Sequence, residues 1–108
     1  MHMNKDLDLI CQRIDELFLR QYNTRYWLQI VDDPYDKTYN FFFDSLKKAH
    51  REKSVPLHTV TIYDLTYLEE LVDDIQKHTQ LSIQFEGFTG QHWPKSQRII
   101  QRKKHWDE

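Results

Sequence analysis

Three groups of side chains in this sequence have the types and spacing to do chemistry. The first is acidic. Asp32, Asp33 and Asp36 follow an apolar run, and carboxylates at the C-terminal end of a strand lie where open α/β sheets bind their ligands, so a divalent cation or a polar ligand could be held there. The same residues also make a turn at Asp33-Pro34 and a helix cap at Asp36, with no further role. The second group, Gln84, Glu86, Thr89, Gln91, His92 and Trp93, is the densest set of hydrogen-bonding side chains in the chain. Placed on the same sheet edge as the acids, it would complete a small-molecule pocket of Asp32, Asp33, Asp36, Gln84, Glu86 and His92; otherwise it is solvent-facing surface. The third group is basic. Residues 95–108 carry five Lys or Arg and two acids, against ten and fifteen in residues 1–94, so an acidic body ends in a basic segment. Its cations are Lys95, Arg98, Arg102, Lys103 and Lys104, flanked by Trp93 and Trp106. Such a segment could grip phosphates and stack on bases. It could equally dock on its own acidic body or stay solvated.

Other chemistries are excluded by composition. The histidines, His2, His50, His58, His78, His92 and His105, show neither the spacing of a zinc-protease helix nor an i,i+4 pair on one helix. The lone Cys11 makes no internal disulfide and no cysteine zinc cluster; on an apolar helix stripe a thiol is a small hydrophobe. Gly87 and Gly90 are the only glycines, too few for a loop that cradles phosphates. The expectation is no catalytic residue, no metal set and no cofactor.

The elements that must position these groups follow from periodicity. Leu7, Ile10, Cys11, Ile14, Leu17 and Phe18 recur at intervals of three and four, which predicts a helix from about Lys5 to Gln21 with Asn4 as its cap. The run from Arg25 to Val31, aromatic and β-branched, predicts a strand closed by the turn at Asp32-Asp33-Pro34. Tyr39, Phe42, Phe43, Leu46 and Ala49 return to helical spacing and predict a second helix between Tyr35 and Lys53, with Lys47, Lys48, Arg51 and Lys53 towards its C-terminal end. Pro56 breaks the chain, and Leu57 to Tyr63 alternates as a strand. Asp64 caps a third helix running to His78, apolar along Leu65, Leu68, Leu71, Val72 and Ile75 and acidic along Glu69, Glu70, Asp73 and Asp74. Leu81 to Phe85 predicts a third strand, Phe88 to Pro94 a loop, and Lys95 to Trp106 a last basic helix. The expected fold class is α/β: a small three-stranded parallel sheet flanked by helices, in the order α-β-α-β-α-β-α. Cys11, Ile14, Phe18, Leu28, Ile30, Leu46, Leu68, Leu71, Ile75 and Ile83 are its expected core.

Ile30-Val31-Asp32-Asp33-Pro34, then Tyr39, Glu70-Leu71 and Ile83-Gln84-Phe85 resemble the N-terminal catalytic domain of the methylenetetrahydrofolate dehydrogenase/cyclohydrolase family over roughly residues 5 to 86. There a strand ends in an Asp-Pro-like turn, a helix with a Tyr-x-x-x-Lys motif follows, and a later strand carries a Gln before Pro-Leu. The resemblance implies the family's βαβ fold and a small-molecule pocket marked by Gln84. It does not imply the activity: Phe43, or Leu46 in the alternative register, stands at the lysine position, Glu86-Gly87 replaces Pro-Leu, and the nucleotide-binding domain has no counterpart.

With 108 residues, net charge −2 and 15 aromatic side chains, a single folded domain is expected, 1–94 as its body and 95–108 as its basic helix or tail. No apolar run is long enough to span a membrane and the N-terminus lacks a signal-peptide core, so the expected location is the cytoplasm. The aromatic excess, beyond what so small a domain buries, favours a surface that docks on a partner. The expected function is a non-enzymatic regulator or inhibitor acting on a protein, of the kind encoded by bacteria and their mobile elements. Nucleic-acid binding through the basic segment is one alternative, and a degenerate folate-enzyme-like pocket the other.

Overall fold

A computed structural model of the chain describes residues 4–19, 21 and 23–101. The first helix, α1 (Lys5–Leu17), is where periodicity places it: the Asn4 side chain accepts from the Leu7 N–H, Asp6 and Asp8 occupy the positive end of the helix, and Ile10 and Ile14 are buried. It stops short of Gln21, at Phe18, whose N–H closes the last turn on the Ile14 carbonyl. The next strand, β1 (Thr24–Asp33), buries alternate residues, Leu28 and Ile30.

The second predicted helix does not exist. After the turn the chain returns as a strand, β2 (Thr38–Lys47), antiparallel to β1 with Leu28 opposite Phe43 and Ile30 opposite Phe41. The helical spacing was a coincidence of a run with three consecutive phenylalanines, Phe41 to Phe43; the operative pattern is the alternation of Tyr39, Phe41 and Phe43, all buried, with Asn40, Phe42 and Asp44 on the other face. A third strand, β3 (Lys53–Val60), pairs antiparallel with β2 and forms one sheet edge. It begins ahead of Pro56, not after it, because an edge strand tolerates a residue with no N–H. Its register shifts between Phe41 and Phe42, and Leu57 at the bulge is 1% exposed, driven into the core.

Asp64 caps the second helix, α2 (Leu65–His78), as expected, and Leu68, Leu71, Val72 and Ile75 bury its apolar face. The last strand, β4 (Ser82–Glu86), is parallel to β1 on the other edge. The architecture is therefore α-β-β-β-α-β with a four-stranded, mostly antiparallel sheet in the order β3-β2-β1-β4, not the three-stranded parallel sheet expected. The expected last helix is also absent from its described part, where residues 95–101 form turns and isolated bridges, His92 with Ile99 and Thr89 with Gln101.

One core joins α1, α2 and a single face of the sheet. Of the expected core, Ile14, Leu28, Ile30, Leu68, Leu71 and Ile75 are buried there, and Phe18 and Ile83 pack against it. Cys11 is only half-buried, and Leu46 belongs to the opposite sheet face with Phe42 and Asp44. Phe88 and Ile100 complete the core from the segment after β4. Two stability predictions follow from this packing. Leu71→Ala should cost about 2–5 kcal/mol in thermal unfolding. Ala49, in the β2–β3 turn, has φ +66°, where a Cβ crowds the following carbonyl; Ala49→Gly should raise the urea midpoint by the equivalent of about 1 kcal/mol with the denaturant slope unchanged.

Candidate functional site

The strand end that holds Asp32 is closed by side chains from later in the chain. Asp32, 9% exposed, accepts from the Tyr63 hydroxyl at 2.6 Å on one oxygen and from the Gln91 amide at 3.2 Å on the other. The hydrogen bond to Asp32, then burial, pushes the Tyr63 hydroxyl up to about 12. Burial, then the Asp32 charge, raises Tyr39, whose ring lies 4.9 Å from that of Tyr63. Both phenols stay protonated. Gly87 packs against this strand: a Cβ on it would sit 2.9 Å from the Asp32 carbonyl oxygen, at φ +84°, so no other residue fits without displacement.

The other members of the expected pocket lie elsewhere. Asp33 accepts from the Tyr35 and Asp36 N–H groups and shapes the β1–β2 turn, with Asp36 exposed in it. Gln84 is exposed, and it and Glu86 occupy the sheet face opposite Asp32, beside Gln29 and Val31. Glu86 accepts from Gln101, and His92 is exposed on the segment after β4. Sequence reasoning missed Tyr63, whose only signal was an aromatic just before a helix cap. Among the described residues no group of three or more His, Cys, Asp or Glu could hold a metal ion.

The basic segment, as far as residue 101, lies against its own acidic helix. The N–H groups of Lys95 and Ser96 donate to the Glu69 carboxylate at 2.8 and 3.1 Å, and the Lys95 ammonium meets Glu70 at 2.7 Å. Trp93 packs edge-on against Phe85 at 5.5 Å. Arg98 is exposed; Arg102, Lys103, Lys104 and Trp106 lie outside the described residues. A second polar knot fixes α1: Asp6 meets His58 of β3 at 2.6 Å and accepts from the Tyr67 hydroxyl of α2 at 2.5 Å, while Tyr67 also reaches Asn4. Burial, then the Asp6 hydrogen bond, pushes Tyr67 up to about 12. Burial and the nearby Asp15, Asp8 and Asp74 raise the Cys11 thiol, which disfavours thiolate chemistry there.

A groove of about 220 Å³ lies between the end of α1 and the β2–β3 hairpin. Its floor is apolar: Leu17, Leu19, Tyr26, Phe43 and Val55. Tyr26 is held by the Phe18 and Phe43 rings at 4.9 and 5.7 Å and by its hydroxyl on the Leu19 carbonyl. The rim is cationic at Lys47, Arg51 and Lys53, with His50 beside them. The hairpin turn is pinned by the Lys48 N–H on the Asn23 carbonyl and the His50 N–H on the Lys47 carbonyl, both at 2.9 Å. Lys47, Lys48, Arg51 and Lys53 are all exposed, and none has an ion-pair partner among the described residues. The charge run is visible in the sequence, but it belongs to a hairpin and not to the helix end its spacing predicts.

Glu69 supplies a pH prediction. Burial opposes its ionisation, but the Lys95 and Ser96 N–H groups, the Ser96 hydroxyl and the Lys95 charge outweigh burial and hold the carboxyl below its ordinary 4.5. A lowered carboxyl contributes stability that is full above its unfolded value and disappears as pH falls through the folded one. The amide resonances of Lys95 and Ser96 should therefore titrate with a midpoint below 4.5, and be flat in Glu69→Gln; a midpoint at or above that value contradicts the anchor. In comparisons with known proteins, no family model, no curated protein and no solved structure matches this chain.

Proposed function

We propose that this chain is a binding protein, a regulator or inhibitor that docks on a macromolecular partner and does no chemistry of its own. The observation that supports this reading is the groove beside the β2–β3 hairpin, where exposed apolar side chains stand beside cations with no ion-pair partner among the described residues. Solvated apolar surface rimmed by polar groups is the usual mark of an interaction site. The small-molecule alternative is weaker, because Asp32 is saturated by Tyr63 and Gln91 while Gln84 occupies the opposite sheet face. Nucleic-acid binding through the C-terminal segment loses Lys95, whose ammonium already meets Glu70. A cytoplasmic location goes with this reading; among the described residues no helix is long and apolar enough to cross a membrane.

The test compares wild type with the triple variant Lys47→Glu, Arg51→Glu, Lys53→Glu. A protein captured by the wild type is purified and titrated against both. Stoichiometric binding that alters the partner's activity, weakened at least about tenfold by the triple variant with its melting temperature kept, is the expected result. Equal binding by both chains would move the docking site away from the groove, and turnover of a small molecule by the chain itself would end the binding-protein reading.

A further inference from the structure

We infer that the groove takes an acidic, amphipathic segment of a protein partner, with apolar side chains on its floor and carboxylates on Lys47, Arg51 and Lys53. The inference rests on the docking reading above and names the chemistry of what docks. The floor comes first. Leu17, Leu19 and Val55 are 37%, 68% and 39% exposed, three of the large apolar side chains that the fold leaves in water, and all three line this one groove. Its volume of about 220 Å³ is smaller than the roughly 300–1,000 Å³ of pockets that enclose a drug-sized ligand, so it suits side chains presented by a larger body.

Charge then selects the partner. Residues 47–53 carry four Lys or Arg and one acid, net +3, and the remaining chain is net −5. The C-terminal segment is also basic, but its Lys95 is neutralised on Glu70, whereas the cations of the hairpin have no ion-pair partner among the described residues. A cationic rim in an otherwise acidic surface steers carboxylates to this end of the molecule and repels basic segments. A nucleic acid fits less well. Single strands bind by stacking bases on exposed aromatic faces, and the aromatic rings of this groove, Tyr26 and Phe43, are packed against each other and Phe18. The acidic body also opposes a long polyanion.

Fluorescence anisotropy with four labelled probes tests this: a short peptide alternating Glu with Leu, a Glu-Gly peptide of the same charge, the Lys-Leu counterpart of the first, and a single-stranded oligonucleotide. The full chain should bind the Glu-Leu peptide at least about tenfold tighter than each of the others. Lys47→Glu with Arg51→Glu and Lys53→Glu should lose at least about tenfold of that affinity, and Leu19→Ser several-fold. Leu19 is mostly exposed, so its variant reports on the floor without endangering the fold, and circular dichroism checks both. Equal affinity for the Glu-Leu and Lys-Leu peptides, or no change in the charge-reversed variant, overturns the inference. So does stronger binding of the oligonucleotide, which would give the rim to nucleic acid. Concentration-dependent dimers in sedimentation that vanish in the charge-reversed variant would give the groove to a second copy instead. Groove-dependent capture of a partner without peptide discrimination would refute only the acidic class; capture that ignores the groove would refute the docking reading itself.

Discussion

The pairing of β2 with β1 decides everything downstream. Phe41 opposite Ile30 and Phe43 opposite Leu28 place large side chains of both strands on one face, where α1 and α2 cover them. A one-residue slip would turn Phe41 and Phe43 to the other face, so the buried aromatics fix the register. Once the chain returns along β1 instead of crossing over it, β3 takes the edge beside β2, and the turn that leads to it gathers the hairpin cations, Lys47 and Lys53 at the strand ends and Lys48 and Arg51 between them, at one end of the sheet. The groove is the space left where α1 stops and that hairpin continues.

The fold also divides its charges by sign. Asp6, Asp32 and Glu69 each accept two hydrogen bonds from segments remote in sequence: His58 and Tyr67, Tyr63 and Gln91, Lys95 and Ser96. These carboxylates stitch α1 to β3, β1 to the connection after β3, and α2 to the segment after β4. The cations of the hairpin have no ion-pair partner among the described residues. Burial of an acid is tolerated here because donors reach both of its oxygens.

How much of this was legible in the sequence depended on whether the signal was local. Asn4 and Asp64 announce their helices because a cap is a contact between near neighbours. β1 and β4 were readable from their β-branched and aromatic runs, and Asp33-Pro34 from turn chemistry. The stretch from Tyr39 to Ala49 was not, since a run containing three consecutive phenylalanines satisfies the period of a helix and of a strand at once, and its resolution depends on pairing with β1. That single misreading converted a hairpin into a crossover, made a parallel sheet the natural inference and lent support to the folate-enzyme pattern, which needs a helix where β2 lies. The groove was hidden for the same reason: the lysines were visible, but only the hairpin brings them beside Leu17 and Leu19 at the end of α1.

Pro56 and the register shift beside it bear on how any segment could approach this end of the molecule. β3 is an outer strand, and an uninterrupted outer strand invites another chain to extend the sheet through backbone hydrogen bonds. Here the free edge contains a residue with no N–H to offer, next to a bulge that bends the ladder. Strand addition is blunted along the middle of β3, which protects the protein from edge-to-edge aggregation and leaves recognition to side chains. Specificity at this end then resides in the identity of the incoming residues and not in the generic geometry of the peptide backbone.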